Sequence, residues 1–198
     1  MLALTAEEEI LRSKCQGFLR NIQASASHST DHAEKVLGYA LKLAKETNAN
    51  KSVLIASCLH HDVSRQYGHK GVEHGEKSSE LISDFLQELC LSSQEQSLIM
   101  QAISNHSLKI QKQDIPIESK ILYDADKLAG FGMLGFIRIC MYAGEKNLTL
   151  AELCNKFLVD LPRKQNCLHL EKSKKLAEKL NIKLERIREF LKEEELVD

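Results

Sequence analysis

Apolar residues recur at helical spacing along most of this chain, and residues that break helices are scarce. The 198 residues include only 2 prolines and 9 glycines, so long segments can stay helical without interruption. No segment shows the strict alternation of apolar and polar residues that is typical of a half-buried strand. The sequence therefore predicts an all-α fold, a helical bundle with amphipathic C-terminal helices.

Three helix starts are marked by a Ser or Thr that is followed three residues later by Glu, the pattern of a capping box. These residues are Thr5, Ser92 and Thr149. A polar loop is expected from Ser64 to Gly71. Apolar periodicity predicts helices over about 5–21, 30–47, 53–63, 73–89, 92–106 and 118–128, and a C-terminal pair over about 168–180 and 184–195.

The length suits one globular domain, since domains commonly contain about 100–200 residues. We expect a single domain over residues 1–198, with a core over about 24–160 and a helical appendage over about 165–198. A homodimer formed through the last helices is a hypothesis that goes with their amphipathic pattern.

The charge balance argues against a polyanionic partner. The chain carries 27 basic and 28 acidic residues, so it has no excess of positive charge for polymeric nucleic acid or an anionic membrane. No apolar run reaches the roughly 18 residues of a membrane span, and the N-terminus lacks the order of a secretory signal. The six cysteines form no CxxC pair, which favours a reducing, cytoplasmic location.

The third predicted helix carries the main functional signal. It is apolar almost all round, as expected of a central helix, yet it ends in His60-His61-Asp62. Conflicts of this kind between local pattern and polarity tend to lie at functional sites. Imidazole nitrogen and carboxylate oxygen together suit a divalent ion. On a regular helix His60 points about 100° away from His61, which favours a structural or rim position for His60.

Two further donors are predicted to face the same interior. His32 lies on an apolar helix face with Val36 and Ala40, and Asp126 lies in an apolar segment that also holds Asp124. The two aspartates point about 200° apart on a helix, so only one of them is expected to reach an ion. Donors from several helices can form a metal site in the core of a bundle.

Three local segments and their order carry a resemblance to a known family. They are His28 through Val36, Leu54 through Asp62, and Asp124 through Leu128. These segments resemble the first histidine helix, the His-Asp helix and the distal aspartate motif of the HD-domain metal-dependent phosphohydrolases. Residues 126–138 are similar to a bacterial subgroup of that family that hydrolyses nucleotides. The resemblance covers roughly residues 28–140.

The resemblance implies that His32, His61, Asp62 and Asp126 bind one divalent ion, with Asp126 favoured over Asp124 by the register of the motif. The ion would be Mn²⁺, Mg²⁺, Fe²⁺ or Co²⁺. The resemblance also implies an HD-like helical bundle and hydrolysis of a phosphoester or phosphoanhydride bond by metal-activated water. Asp62 is the candidate to accept the proton of that water. We expect a nucleotide or another small phosphorylated metabolite as the substrate.

Other polar residues are candidates to act on the substrate. His74 and His106 are candidates to bind phosphate, to hold a second ion or to act as acid toward the leaving group. Lys127 and Arg138 are candidates to bind the phosphate, and His28 is a candidate to line the substrate pocket. Two alternatives stay open: a cyclic-nucleotide or dinucleotide phosphodiesterase with a binuclear site, and a non-catalytic module that binds a metal or a nucleotide.

Overall fold

The computed structural model describes residues 3–22, 29–108 and 114–193, and these residues form helices and turns without a strand. The all-α prediction is confirmed. None of the described helices is long and apolar enough to cross a membrane. The helices are α1 (Ala6–Arg20), α2 (Thr30–Ala44), α3 (Lys51–His60), α4 (Glu73–Leu81), α5 (Ser83–Gln87), α6 (Ser93–Asn105), α7 (Ile117–Ala129), α8 (Gly132–Glu145), α9 (Leu150–Asn155), α10 (Leu161–Gln165) and α11 (Glu171–Glu193).

The chain divides into two compact units, one up to Asp126 and one from Lys127 onward. The first unit holds α1 to α6 and most of α7, and the second holds α8 to α11. All three predicted capping boxes are present, with the side chains of Thr5, Ser92 and Thr149 as caps. The organisation as a single domain with a C-terminal appendage stays a prediction.

Helix α3 is the centre of the first unit. Its residues from Val53 to His60 are all buried, and it packs against α1, α2 and α6. Asn50 caps the helix, because its Oδ1 accepts the N–H of Ser52 at 2.9 Å. The backbone N–H of Asn50 also donates to Glu118 Oε1 at 2.8 Å. These bonds fix the start of α3 against α7, so the far end of α3 is held in the interior.

The chain changes helix type directly after α3. His61 is the C-cap of α3, and Asp62 follows with φ −109° and ψ 12°. Val63–Tyr67 then form a 3₁₀ helix, so the polar loop predicted from Ser64 to Gly71 is wrong over residues 64–67, whereas residues 68–71 lie in turns and irregular backbone. Gly68 ends the 3₁₀ helix with φ 87°, a left-handed conformation that glycine adopts without steric cost.

Two other predicted helix boundaries are wrong. The helix predicted over 73–89 divides at the fully buried Ile82, which separates α4 from α5 with φ −99° and ψ −1°. The predicted C-terminal pair is one continuous helix, α11, because neither Pro nor Gly occurs between 171 and 193. Asn181 donates its side-chain N–H to Gln165 Oε1 at 2.8 Å and so does not compete for the backbone of α11.

In the second unit, α8 begins close to α11. Gly132 has φ 70°, and a Cβ at this position would lie 3.1 Å from Leu180 Cδ2. A π-helical turn, Lys156–Asp160, joins α9 to α10. Its Phe157 is fully buried and packs on Phe136 with ring centroids 4.6 Å apart. These contacts give the second unit an apolar interior of its own.

Candidate metal centre

Four side chains of the first unit converge at the end of α3, and we call them the inner cluster: His32, His61, Asp62 and Asp126. Asp126 Oδ1 lies 3.4 Å from His32 Nε2 and 3.8 Å from His61 Nε2. Asp62 Oδ2 lies 3.5 Å from His61 Nε2 and 3.9 Å from His32 Nε2. One donor atom from each of His32, His61 and Asp62 can therefore reach a single ion. The structure brings together all four side chains predicted to be ligands.

Regular helices carry most of the inner cluster. His32 lies in the first turn of α2, and Val36 and Ala40, at its four-residue spacings, are fully buried. His61 and Asp62 follow a helix that is buried on all sides, so both are carried into the interior. Asp126 lies near the end of α7. Side chains held by packed helices keep a fixed geometry, which a metal site requires.

The orientation of His61 fits a metal ligand. Its Nδ1 donates to the carbonyl oxygen of Cys58 at 2.8 Å, which leaves Nε2 as the lone-pair nitrogen. That Nε2 is buried and makes no hydrogen bond to any of the described residues. A buried acceptor without a partner is costly, and a cation bound by His61 together with carboxylate oxygens removes that cost. The residues present therefore fit a divalent ion.

Burial keeps His60 and His61 neutral. It is the main reason that the pKa of each falls from the ordinary 6.5 to about 4. The neighbouring Asp62 opposes this shift in the case of His61. A neutral imidazole retains the lone pair that a metal needs. His61 is therefore ready to bind an ion without first losing a proton at neutral pH.

The metal-free protein is expected to lose stability as the pH falls from about 7.5 to about 5. Between a folded pKa of about 4 and an unfolded pKa of 6.5, the unfolded chain binds more protons, so the free energy of unfolding falls with pH. The loss is about 2 kcal/mol for each buried histidine. Urea unfolding at both pH values measures it. His60→Gln, which cannot titrate, should reduce the pH dependence by about half, and an unchanged dependence would contradict this assignment.

A second set of donors, which we call the outer cluster, consists of Asp62, His74 and His106. Asp62 Oδ1 lies 3.2 Å from His74 Nε2 and 3.6 Å from His106 Nε2. The two Nε2 atoms lie 2.9 Å apart, and both histidines are buried. One oxygen of Asp62 thus faces the inner cluster and the other faces the outer cluster. The predicted catalytic residues Asp62, His74 and His106 lie together in the structure.

A glycine allows the outer cluster to form. Gly75 follows His74 on α4, and a Cβ at this position would lie 2.8 Å from the carbonyl oxygen of Ile103 and 2.9 Å from that of Ser104 on α6. Real Cβ contacts of that length essentially do not occur. The absence of a side chain at Gly75 therefore lets α4 approach α6 closely enough for His74 to meet His106.

The structure also distinguishes the two aspartates of α7. Asp126 brings an oxygen to His32 and His61, and its side chain retains 16% exposure. The side chain of Asp124 is fully buried. Asp126 is therefore the aspartate of α7 that lies beside His32 and His61, and its role as the distal ligand stays a prediction.

The roles predicted for His28, Lys127 and Arg138 toward the substrate stay predictions. His28 lies outside the described residues. Lys127 and Arg138 belong to the second unit, and their roles toward phosphate stay predictions. His60 is fully buried, with its ring edge-on to those of Phe18 and Phe85 at centroid distances of 5.2 and 5.3 Å. His60 is therefore part of the core.

Arg65 is a site residue that sequence reasoning missed. Its Nε donates to Asp62 Oδ1 at 2.8 Å, and its Nη2 lies 3.1 Å from His74 Nε2. Residues three apart eclipse each other in a 3₁₀ helix, which places Arg65 over Asp62. The spacing of three was visible in the sequence, but the segment was expected to be a loop and no such pairing was anticipated.

A cavity opens beside the inner cluster. Gln66 contributes to its wall, together with the apolar side chains of Leu19 and Leu59. Its polar lining includes Ser29, Thr30, His32, His61 and Asp62. A small polar ligand in this cavity would meet the ligands of the inner cluster directly.

Comparison with known proteins places this fold and site in a family. The model of the HD domain matches residues 30–130, just over half of the chain. The matched segment contains all the residues of the inner and outer clusters. The chain belongs to the HD domain family.

Solved structures share the fold over nearly the whole chain. A protein from Lactobacillus plantarum is 20% identical, with a TM-score of 0.76 over 96% of this chain and 99% of that one. Bacillus subtilis YpgQ in complex with ADP is also 20% identical, with a TM-score of 0.76 over 94% and 96%. An HD-superfamily hydrolase from Bacillus thuringiensis is 25% identical, with a TM-score of 0.70 over 95% and 98%. The protein therefore has the fold of the HD-superfamily hydrolases.

Proposed function

We propose that this protein is a metal-dependent phosphohydrolase that acts on a nucleotide or another small phosphorylated metabolite. The observation that carries the proposal is the inner cluster, in which two imidazoles and two carboxylates converge from helices distant in sequence. The ADP bound by YpgQ supports a nucleotide as the substrate, because that protein has the same fold. We propose this small substrate as the partner, rather than nucleic acid or a membrane.

The inner cluster would hold the ion through His32, His61, Asp62 and Asp126. A divalent ion bound there supplies charge neutralisation for a phosphoryl oxygen and a water of lowered pKa. In our proposal Asp62 also accepts a proton from the attacking water. Hydrolysis of this kind depends mostly on positioning and on stabilising charge, and side chains fixed by buried helices provide both.

His74 and His106 are proposed to act toward the leaving group. Both are buried, and their Nε2 atoms lie 3.2 and 3.6 Å from Asp62 Oδ1, whereas those of His32 and His61 lie 3.9 and 3.5 Å from Oδ2. An imidazole in such a position can donate a proton or a hydrogen bond to the oxygen that departs. Lys127 and Arg138 remain proposed contacts to the phosphate chain, and His28 remains a proposed substrate-binding residue.

A panel of nucleoside mono-, di- and triphosphates tests the proposal. Each is incubated with the protein and Mn²⁺, Mg²⁺ or Co²⁺, and phosphate and pyrophosphate release are measured. We expect hydrolysis of at least one compound, its loss with a chelator, and its absence in His61→Ala. Binding of nucleotides without hydrolysis by any ion-loaded sample would instead support the non-catalytic module.

One observation favours a second candidate, a cyclic-nucleotide or dinucleotide phosphodiesterase with a binuclear site. The outer cluster offers a second group of donors that share Asp62 with the inner cluster. A carboxylate between two donor groups can bridge two ions. Adding cyclic nucleotides and cyclic dinucleotides to the same panel tests this candidate, and the number of ions bound per chain tests its site.

A further inference from the structure

A groove lies between α1 and α2, on the side of α2 that is turned away from His32. On a regular helix Glu34 and Leu41 point about 200° and 180° from His32, and both line the groove. Its volume is about 300 Å³, at the lower end of the range of about 300–1,000 Å³ that is common for small-molecule sites. We call it the α1–α2 groove, with an apolar side formed by Leu4, Leu37 and Leu41 and a polar side formed by Glu9, Arg12 and Glu34.

The apolar side of the groove combines a closed floor with open space above it. Leu37 and Leu41 are only 2% and 4% exposed, so they form the floor. Gly38 also lines the groove, and a Cβ at this position would make no tertiary contact within 4 Å. Apolar atoms of a ligand that lie here would exchange water for a surface of leucine side chains, which is favourable.

The polar side is held in place by hydrogen bonds between the two helices. Arg12 Nη2 donates to Glu34 Oε2 at 2.7 Å, and Gln16 Nε2 donates to Glu34 Oε1 at 2.6 Å. Both oxygens of Glu34 on α2 thus accept from side chains of α1. This side of the groove therefore has its shape before a ligand arrives, as is usual for small-molecule sites.

Arg12 retains donors that a ligand can use. Its Nη1 lies 3.7 Å from Glu9 Oε2, which is longer than a hydrogen bond. The bond to Glu34 uses one N–H of the guanidinium, and a guanidinium has five. Because the side chain is 34% exposed, an oxygen atom of a molecule in the groove can accept from it.

The charges beside Arg12 favour a ligand that carries no charge of its own. Among the residues that define the groove, the positive charge of Arg12 lies beside the negative charges of Glu9 and Glu34. Both glutamates would repel a carboxylate on a ligand, and Arg12 would repel an ammonium group. A carbonyl oxygen accepts a hydrogen bond without adding a charge.

We propose that the α1–α2 groove is a binding site for a small uncharged molecule that has an apolar body and a carbonyl oxygen. The apolar body lies on Leu37 and Leu41, and the carbonyl oxygen accepts from the guanidinium of Arg12. No residue that defines the groove belongs to the inner or the outer cluster. The site is therefore separate from the candidate metal centre and does not depend on the proposed function.

Three probes of similar length test the proposal: hexanamide, hexanoate and hexylammonium. Each is titrated into the full ¹⁵N-labelled chain while the chemical shifts of the backbone amides are followed. We expect hexanamide to bind with a Kd of about 1 mM or below, with its shift changes concentrated in α1 and α2. Each charged probe should bind at least about 3-fold more weakly, because it meets a like charge. His61→Ala, which alters the metal centre, should leave the Kd of hexanamide unchanged.

Glu9→Gln tests the charge argument separately. Glu9 is exposed in the first turn of α1, and the amide has the same shape without the charge. This variant should strengthen the binding of hexanoate by about 2–5-fold, the range expected of one exposed charge. The Kd of the uncharged hexanamide should stay within a factor of about 2.

Gly38→Leu tests the place of binding, because it puts a side chain into the open space of the groove. Gly38 lies inside α2 without a positive φ, so its backbone accepts a leucine. We expect the affinity for hexanamide to fall at least about 10-fold. Gly17→Leu is the matched control, since Gly17 lies in α1, outside the groove, and also has open space at its Cβ. Should Gly38→Leu not fold by circular dichroism, Gly38→Met replaces it, because methionine is flexible.

Three results overturn the proposal. The first is the absence of saturable shift changes in the wild type up to about 20 mM hexanamide. The second is an unchanged Kd in a folded variant with a large side chain at position 38. The third is a charged probe that binds the wild type as tightly as hexanamide does. None of them bears on the proposed function, which is tested at the inner cluster by metal binding and hydrolysis.

Discussion

Asp62→Asn is expected to lower the rate of phosphate release by about 10³-fold or more and to release the bound ion. The two oxygens of Asp62 face different groups, with Oδ2 near His61 and Oδ1 near His74 and Arg65. The amide has the same shape but no charge, and its nitrogen cannot bind a cation. Loss of a single stabilising contact to a transition state already costs about 10²–10³ in rate, and this change removes an ion ligand as well.

Asp31→Asn is the matched control for Asp62→Asn. Asp31 lies in the first turn of α2, one residue before His32, and its side chain is exposed. It carries the same charge, so its removal changes the net charge equally. We expect its ion content and rate to stay within a factor of about 2–3, since an exposed charge in a first helical turn contributes only about 0.3–1 kcal/mol to stability. Full activity in Asp62→Asn would refute the assignment of Asp62.

The second large effect is expected at Asp126. Asp126→Asn should weaken ion binding by at least about 100-fold, because even the partners behind metal ligands contribute about 10–100-fold to affinity. The oxygen lost is the one that lies 3.4 Å from His32 Nε2 and 3.8 Å from His61 Nε2. Titration with Mn²⁺ followed by calorimetry measures the change in affinity.

Asp124→Asn provides the comparison for Asp126→Asn. Asp124 lies on the same helix, two residues earlier, and its side chain is fully buried. We expect this variant to keep the affinity for Mn²⁺, and any cost should fall on thermal stability, because a buried polar group has changed its hydrogen bonding. If Asp124→Asn lost the ion and Asp126→Asn kept it, the assignment within α7 would be reversed.

The inner cluster was predictable because its members stand out from their surroundings. His32 interrupts an apolar stripe, and His61 and Asp62 end a helix that is otherwise apolar. A polar residue within an apolar pattern is visible in a short segment of sequence, without knowledge of the tertiary contacts. The sequence could not predict that one oxygen of Asp62 lies near His61 and the other near His74, because that arrangement depends on where α4 and α6 lie. That placement depends on Gly75. An isolated glycine in a helical segment can indicate a close packing contact or a helix end, and the sequence alone does not distinguish the two.

Arg65 and α11 show why other parts were missed. A turn of 3₁₀ helix has the polar composition of a loop, so the sequence gives no periodic signal that aligns Arg65 with Asp62. In α11 the periodic pattern was recognised, but it was divided into two helices between Leu180 and Leu184. The bond from Asn181 to Gln165 depends on the path of the chain between α9 and α11. Both errors concern contacts between elements rather than the propensity of one element.

The position of the inner cluster along the chain couples ion binding to folding. Its first member, His32, and its last, Asp126, are separated by 94 positions (126 − 32), and His61 and Asp62 lie between them. An ion that joins these segments acts as a removable cross-link across most of the first unit. Ligands that bind only the folded state add RT ln(1 + [L]/Kd) to its stability. The concentration of free metal would then determine the free energy of unfolding of this protein as well as its proposed activity.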